Sequence, residues 1–290
     1  MFKGSIVAIV TPFKGGKVDE DAYRELIEFQ IQNGTNAIVP CGTTGESATL
    51  TMEEHGRVID IAVEAVNKRV PVIAGTGGNN TNEAIELTEH AKKAGADATL
   101  QVAPYYNKPT QEGLYRHFKA ISDAVPLPQV LYNVPGRTGV NMLPETVARL
   151  AQLPDMVAIK EASGDIGQMA EVVRLAGDNI TLLSGDDNVT LPVLSLGGKG
   201  VVSVVANIVP RDSADLVKAW EEGRVEEARA LFFKLLPLCK AMFYETNPIP
   251  VKTSLALMGK ITDEFRLPMC NIGPANLDRL KKALQDYGLI

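Results

Sequence analysis

Long apolar runs are missing from this 290-residue chain: nothing approaches the roughly 20 residues needed to cross a bilayer. The first ten residues, MFKGSIVAIV, run into TPF without a signal-peptide cleavage pattern, so the expectation is a cytoplasmic protein with no membrane partner. Cysteine is scarce. Cys41, Cys239 and Cys270 form no CxxC pair, and His55, His90 and His117 show no HExxH or clustered spacing. A reducing compartment is therefore expected, with no disulfide framework, no metal and no other cofactor. Positive charge is also short. The 29 basic residues are scattered against 35 acidic ones, for a formal charge of −6, which speaks against a nucleic-acid partner. An anionic substrate would have to meet a local cation.

Apolar residues make up 45% and charged residues 22%, ordinary for a globular protein with ample core and unlike disorder, collagen or coiled coil. Short apolar runs recur along the chain: SIVAIV (5–10), NAIVP (36–40), PVIAG (71–75), DATLQV (97–102), QVLY (129–132), MVAIK (156–160), ITLLS (180–184) and GVVSV (200–204). Each is followed by helical periodicity, as with Ile85, Leu87 and Ala91. Strands alternating with helices imply parallel pairing through right-handed crossovers. Runs that are apolar on both faces suit strands buried between an inner core and an outer helix layer.

Eight such units favour a closed (β/α)8 TIM barrel, which at about 250 residues occupies most of the chain. The rival is a doubly wound sheet, but the segment after the first strand, TPFKGGK, lacks GxGxxG. Past residue 223 the strands stop, and 225–243, 248–259 and 274–286 read as helices. The expected organisation is a catalytic barrel over 1–223 and a C-terminal helical extension over 224–290.

Reacting groups in such barrels lie at the C-terminal ends of strands. Read there, the chain presents CGTTGES, APYYNKP, YNVPGRTG, KEASGD and SGDD. Lys160 closes the sixth strand in parity with Ala158, so if Ala158 points into the barrel, Lys160 does too. A free lysine with pKa near 10.4 is neutral in only about 1 part in 2,500 at pH 7; a burial shift of about three units would make roughly a third of it nucleophilic. Such an amine condenses with a ketone and serves as an electron sink. The plainer reading is a lysine paired with Glu161 or a rim carboxylate. Lys199, ahead of the eighth strand, belongs to the opposite, stabilising face.

Tyr132 ends the neighbouring strand and should stand beside Lys160, able to pass protons if a second hydroxyl relays them. Thr43 and Thr44, in the turn GTTGE, supply hydroxyls and free backbone N–H groups for a carboxylate. Arg137 offers a fork suited to a second carboxylate. Taken singly, each has a plainer reading: a packing tyrosine, a helix-starting turn, a surface arginine. Their convergence on one rim favours a site. Tyr105 and Tyr106 are adjacent rings that cannot share one pocket, so one could serve a neighbouring chain. Cys41 reads as a small buried hydrophobe.

With GSIVAIVTPF, GTTGESATL, PVIAGTG, PYYNKPTQEGLYRHF, LYNVPGRTG, IKEASGD, LLSGDD and NPIPVK in order and spacing, the whole chain resembles the dihydrodipicolinate (4-hydroxy-tetrahydrodipicolinate) synthase family of class I, pyruvate-dependent lyases and aldolases. The resemblance implies a barrel with a helical C-terminal extension, usually a homotetramer built as a dimer of dimers. It implies condensation of pyruvate with L-aspartate 4-semialdehyde through a lysine Schiff base, in the diaminopimelate and lysine pathway.

Carried over by position, Lys160 forms the imine, and Tyr132, Thr43 and Tyr106 form a proton relay, Tyr106 arriving from a partner subunit. Thr44, Val202 and Gly185 contact substrate, and Arg137 meets the semialdehyde carboxylate. An effector cleft for lysine maps to Ser47, Ala48, His55, Asn79, Glu83 and Tyr105, with Met52 where lysine-sensitive relatives often carry His. Two alternatives stand beside this. One is a Schiff-base aldolase for a 2-keto-3-deoxy sugar acid or N-acetylneuraminate, whose members generally lack the arginine of NVPxRT. The other is a noncatalytic carboxylate-binding module, against which the joint presence of Lys160, Tyr132, Thr43 and Tyr106 argues.

Overall fold

The computed structural model describes residues 2–290. Ten strands form in chain order: β1 Gly4–Ala8, β2 Phe13–Lys14, β3 Lys17–Val18, β4 Ala37–Val39, β5 Ile73–Gly75, β6 Ala98–Val102, β7 Gln129–Asn133, β8 Met156–Glu161, β9 Thr181–Ser184 and β10 Gly200–Ser203. Eight of them make one parallel sheet in the order β4-β1-β10-β9-β8-β7-β6-β5. A parallel bridge between Ile38 and Val72 joins its two ends, so the sheet closes into a barrel. All eight strand runs expected from the sequence lie in it.

The two-sided apolar pattern sorts by strand parity. Ile6, Ala8, Val39, Ile73, Leu100, Val130, Ala158, Leu183 and Val202 fill the barrel interior. Their neighbours face the helices: Val7, Ile38 and Val201 meet one helix set, and Leu131, Ile159 and Leu182 the other. Full burial of each such side chain contributes about 1.5 to 3 kcal/mol relative to exposure. The helix Gln111–Ala124 shows how the outer layer is specified. Thr110 caps it by accepting from the Gly113 amide at 3.2 Å, and Leu114, Phe118 and Ile121 bury one stripe.

The remaining two strands, β2 and β3, form a small antiparallel hairpin outside the barrel, which the sequence reading passed over. After the last barrel helix, Pro210–Glu221, come helices Val225–Ala241, Ile249–Leu257 and Pro274–Tyr287. Leu238, Met242, Val251 and Leu255 share one apolar cluster with Val7, Ile38 and Ile59, so these helices pack continuously with the barrel. None of the described helices is long and apolar enough to cross a membrane.

Candidate active site

Strand register puts the two central groups side by side. Tyr132 pairs with Lys160 across β7 and β8, and both side chains are buried in the interior layer. The Lys160 Nζ lies 4.1 Å from the centroid of the Tyr132 ring, in the range of a cation–π contact. Among the described residues Lys160 has no carboxylate within the 4.0 Å of a salt bridge. Glu161, the partner of the plainer reading, has the opposite strand parity. It accepts from Asn133 Nδ2 at 3.0 Å, the Ser163 amide at 2.7 Å and Gln168 Nε2 at 3.2 Å. Burial raises its carboxyl pKa, and these hydrogen bonds oppose the rise. The network ties the ends of β7 and β8 together directly after Tyr132 and Lys160.

The hydroxyl turn lies across the barrel mouth. Thr43 and Tyr132 line one small cavity, together with Ser47, Gly75 and Gly77. Thr44 is buried, and its Oγ1 accepts from Asn247 Nδ2 at 3.0 Å. Arg137 sits on a four-residue helix, Pro135–Thr138. Its side chain is exposed at the mouth and donates to the Asn247 carbonyl at 3.3 Å. One residue of the C-terminal extension therefore touches both residues expected to meet carboxylates. Val202 is buried among the interior residues of β10. At Gly185 a Cβ would stand 2.6 Å from the Ala162 Cβ and 2.9 Å from the Glu161 carbonyl, so only glycine lets β9 come this close to the end of β8.

Tyr106 lies elsewhere. Its side chain is 90% exposed, and it does not line the cavity that Thr43 and Tyr132 share. Its backbone is left-handed at φ 71, a strained setting for a non-glycine residue. The loop is pinned by Asn107 Nδ2 donating to the Asn79 carbonyl at 2.9 Å and by Asn79 Nδ2 donating to the Tyr105 carbonyl at 3.2 Å. Of the other residues mapped to an effector cleft, Ala48 and Glu83 are exposed and Ser47 is half-buried. His55 is buried with its Nε2 2.7 Å from the Gly75 carbonyl, and burial lowers its pKa. Met52 is exposed.

Three groups were missed at the site. Asp186 follows Gly185 at the rim; burial raises its carboxyl pKa, and the charges of Lys160 and Arg137 pull it back. Asp187 is buried and accepts from the Val204 and Val205 amides at 2.9 and 3.0 Å. It thereby holds the segment after β10. Asn247 was visible only as part of NPIPVK. Burial pushes the Cys41 thiol far above its ordinary value, which removes the thiolate that nucleophilic catalysis would need. No group of three or more potential metal-ligating side chains occurs among the described residues. Chemically, the mouth combines one buried amine that makes no salt bridge among the described residues, a phenol against it, nearby hydroxyls and one exposed guanidinium. That set suits condensation of an amine with a keto acid.

A model of the Dihydrodipicolinate synthetase family matches residues 1–287. A curated relative from Thermodesulfovibrio yellowstonii, 4-hydroxy-tetrahydrodipicolinate synthase, is 63% identical over 290 residues, with 100% of both chains covered. The chloride-inhibited dihydrodipicolinate synthase from Acinetobacter baumannii, solved in complex with pyruvate, is 47% identical with a TM-score of 0.98 over 100% of each chain. A monomeric dihydrodipicolinate synthase variant is 45% identical with a TM-score of 0.98, covering 100% of this chain and 98% of its own.

Proposed function

From the premise that the chain belongs to the dihydrodipicolinate synthetase family, we propose how its own residues carry the family's reaction. The enzyme condenses pyruvate with L-aspartate 4-semialdehyde to give 4-hydroxy-tetrahydrodipicolinate, a step of diaminopimelate and lysine biosynthesis. Lys160 is the nucleophile. Its neutral Nζ attacks the keto carbon of pyruvate, and the carbinolamine loses water to become an imine. The imine takes up the electron pair released when a methyl proton leaves, and the resulting enamine attacks the aldehyde carbon. The amino group of the adduct then displaces Lys160 from the imine carbon and closes the ring.

The observation that carries this reading is the placement of Lys160 over the Tyr132 ring at 4.1 Å, with no carboxylate partner among the described residues. Tyr132 is the first station for the protons of carbinolamine formation and dehydration, and Thr43 is the second. The turn at Thr44 receives the pyruvate carboxylate, with Val202 and Gly185 shaping the floor. Arg137 receives the semialdehyde carboxylate through a charge-assisted contact. Tyr106 completes the relay from a second subunit of a homotetramer, a dimer of dimers; its 90% exposure in the single chain supports that role.

Arg137 also favours the synthase over an aldolase for keto-deoxy sugar acids, because it adds a cation at the mouth for a second carboxylate. Initial rates with pyruvate and L-aspartate 4-semialdehyde, set against cleavage of 2-keto-3-deoxygluconate, test the choice. Turnover of the semialdehyde alone is expected. Faster cleavage of the sugar acid would overturn the assignment of Arg137.

A further inference from the structure

A second lysine is buried in this molecule, and the chemistry above does not use it. Lys252 lies on the helix Ile249–Leu257 of the C-terminal extension, with a side chain that is 0% exposed. Its Nζ donates to Glu46 Oε1 at 2.6 Å. The rings of Phe13 and Phe265 wall the ammonium at 4.3 and 4.9 Å. Glu46 is nearly as deep, at 2% side-chain exposure, and its second oxygen has no partner. Such a pair, sealed from water and half-satisfied on its acid side, is a poor source of stability. Well-packed apolar residues of similar volume commonly do as well or better. Its presence asks for another reason.

Glu46 sits in the hydroxyl turn. Its backbone is left-handed at φ 53, a conformation its side chain disfavours, and its amide donates to the Thr43 carbonyl at 3.1 Å. Movement of Glu46 therefore moves Thr43. The turn has little slack, since a Cβ at Gly45 would stand 3.2 Å from the Ile9 carbonyl and from the Cys41 amide nitrogen. Two more side chains of the extension grip the same stretch. Asn247 donates to Thr44, and Arg266 donates to the Thr49 carbonyl at 3.1 Å and to Glu54 at 2.7 Å.

We propose that Lys252 is a positioning residue for the reaction: through its ion pair with Glu46, the C-terminal extension sets the backbone of the turn that presents Thr43 and Thr44. The inference rests on the roles given to those threonines. Lys252 itself never meets substrate. It supplies a directional anchor where an apolar contact would leave the turn free to slide, and misplacement of a catalytic group by about 1 Å can cost on the order of 100-fold in rate.

The test uses Lys252→Met and the double variant Glu46→Met/Lys252→Met in the full-length enzyme, each followed by thermal unfolding, kcat of the condensation and the rate of borohydride trapping with pyruvate. Lys252→Met should melt lower because it strands Glu46. The double variant should regain the melting temperature of the wild type while kcat and the trapping rate stay down about 10- to 100-fold. A folded double variant with both rates within about two-fold of wild type would overturn the proposal, since the loss in the single variant would then be stability alone. Failure of both variants to fold would overturn it too, making the pair a requirement of the fold. If wild type itself is not trapped at Lys160, the reading of Lys160 fails; the kcat comparison still decides the role of Lys252.

Discussion

The two buried lysines differ in what they meet. Lys160, at the inner end of β8, has a phenol for company and no carboxylate within 4.0 Å among the described residues, although its charge reaches Asp186 and Asp187. Lys252, on the extension, is locked to Glu46 at 2.6 Å. An ammonium hydrogen-bonded to a buried carboxylate is fixed in place, even though burial lowers its pKa against the pull of Glu46. One facing a phenol in a cleft is open to a ligand. Burial alone therefore does not separate the two; what each amine is paired with does. The proposed roles divide by region in the same way: the reacting groups lie at the barrel mouth, and the extension holds them through Asn247 on Thr44 and Arg137, Lys252 on Glu46, and Arg266 on Glu54.

The largest effect that would break this division is loss of a group that the single chain does not bring to its own cavity. Tyr106→Phe and Lys160→Ala chains should each be strongly impaired. Mixed after subunit exchange, they should regain activity, because some sites then combine an intact Lys160 with an intact Tyr106 from the other chain. Recovery checked against the mass of the exchanged assembly supports a shared site; no recovery after verified exchange places Tyr106 within its own chain's relay.

A smaller effect sharpens the contrast between amine and guanidinium. Arg137→Ala should raise KM for the semialdehyde, with trapping by pyruvate preserved. Loss of a charge-assisted contact is worth about 1.5 to 3 kcal/mol, or roughly 10- to 150-fold in kcat/KM. Steady-state kinetics in each substrate will check it, and a defect confined to pyruvate would refute the role.

The barrel was legible because its strands carry a local signature. Runs such as GVVSV and ITLLS are apolar on both faces and bounded by turn residues, which leaves few folds to consider. Lys160 and Tyr132 were legible for the same reason: strand parity and strand order place them without any long-range information. The hairpin of β2 and β3 was not, since its strands are two residues each, and Lys14, Gly15, Gly16 and Lys17 are exposed. The Gly-Gly of TPFKGGK is a turn signal, but it does not report that the two-residue stretches beside it pair.

The anchors were illegible for another reason. Glu46 and Lys252 are separated by 206 positions, and Thr44 and Asn247 by 203. No periodicity reports contacts of that span. One clue was present: the helix Ile249–Leu257 is otherwise apolar or small, and residues 249–255 are all buried, so a lysine within it had to find an acid inside the protein. That clue says a partner exists without saying where.

The most direct test of the central contrast is borohydride reduction of the enzyme with pyruvate, followed by peptide mapping by mass spectrometry. Inactivation is expected with one reduced adduct per chain on the peptide containing Lys160, and none on the peptide containing Lys252. Adduct on Lys252, or inactivation without any adduct on Lys160, would contradict it.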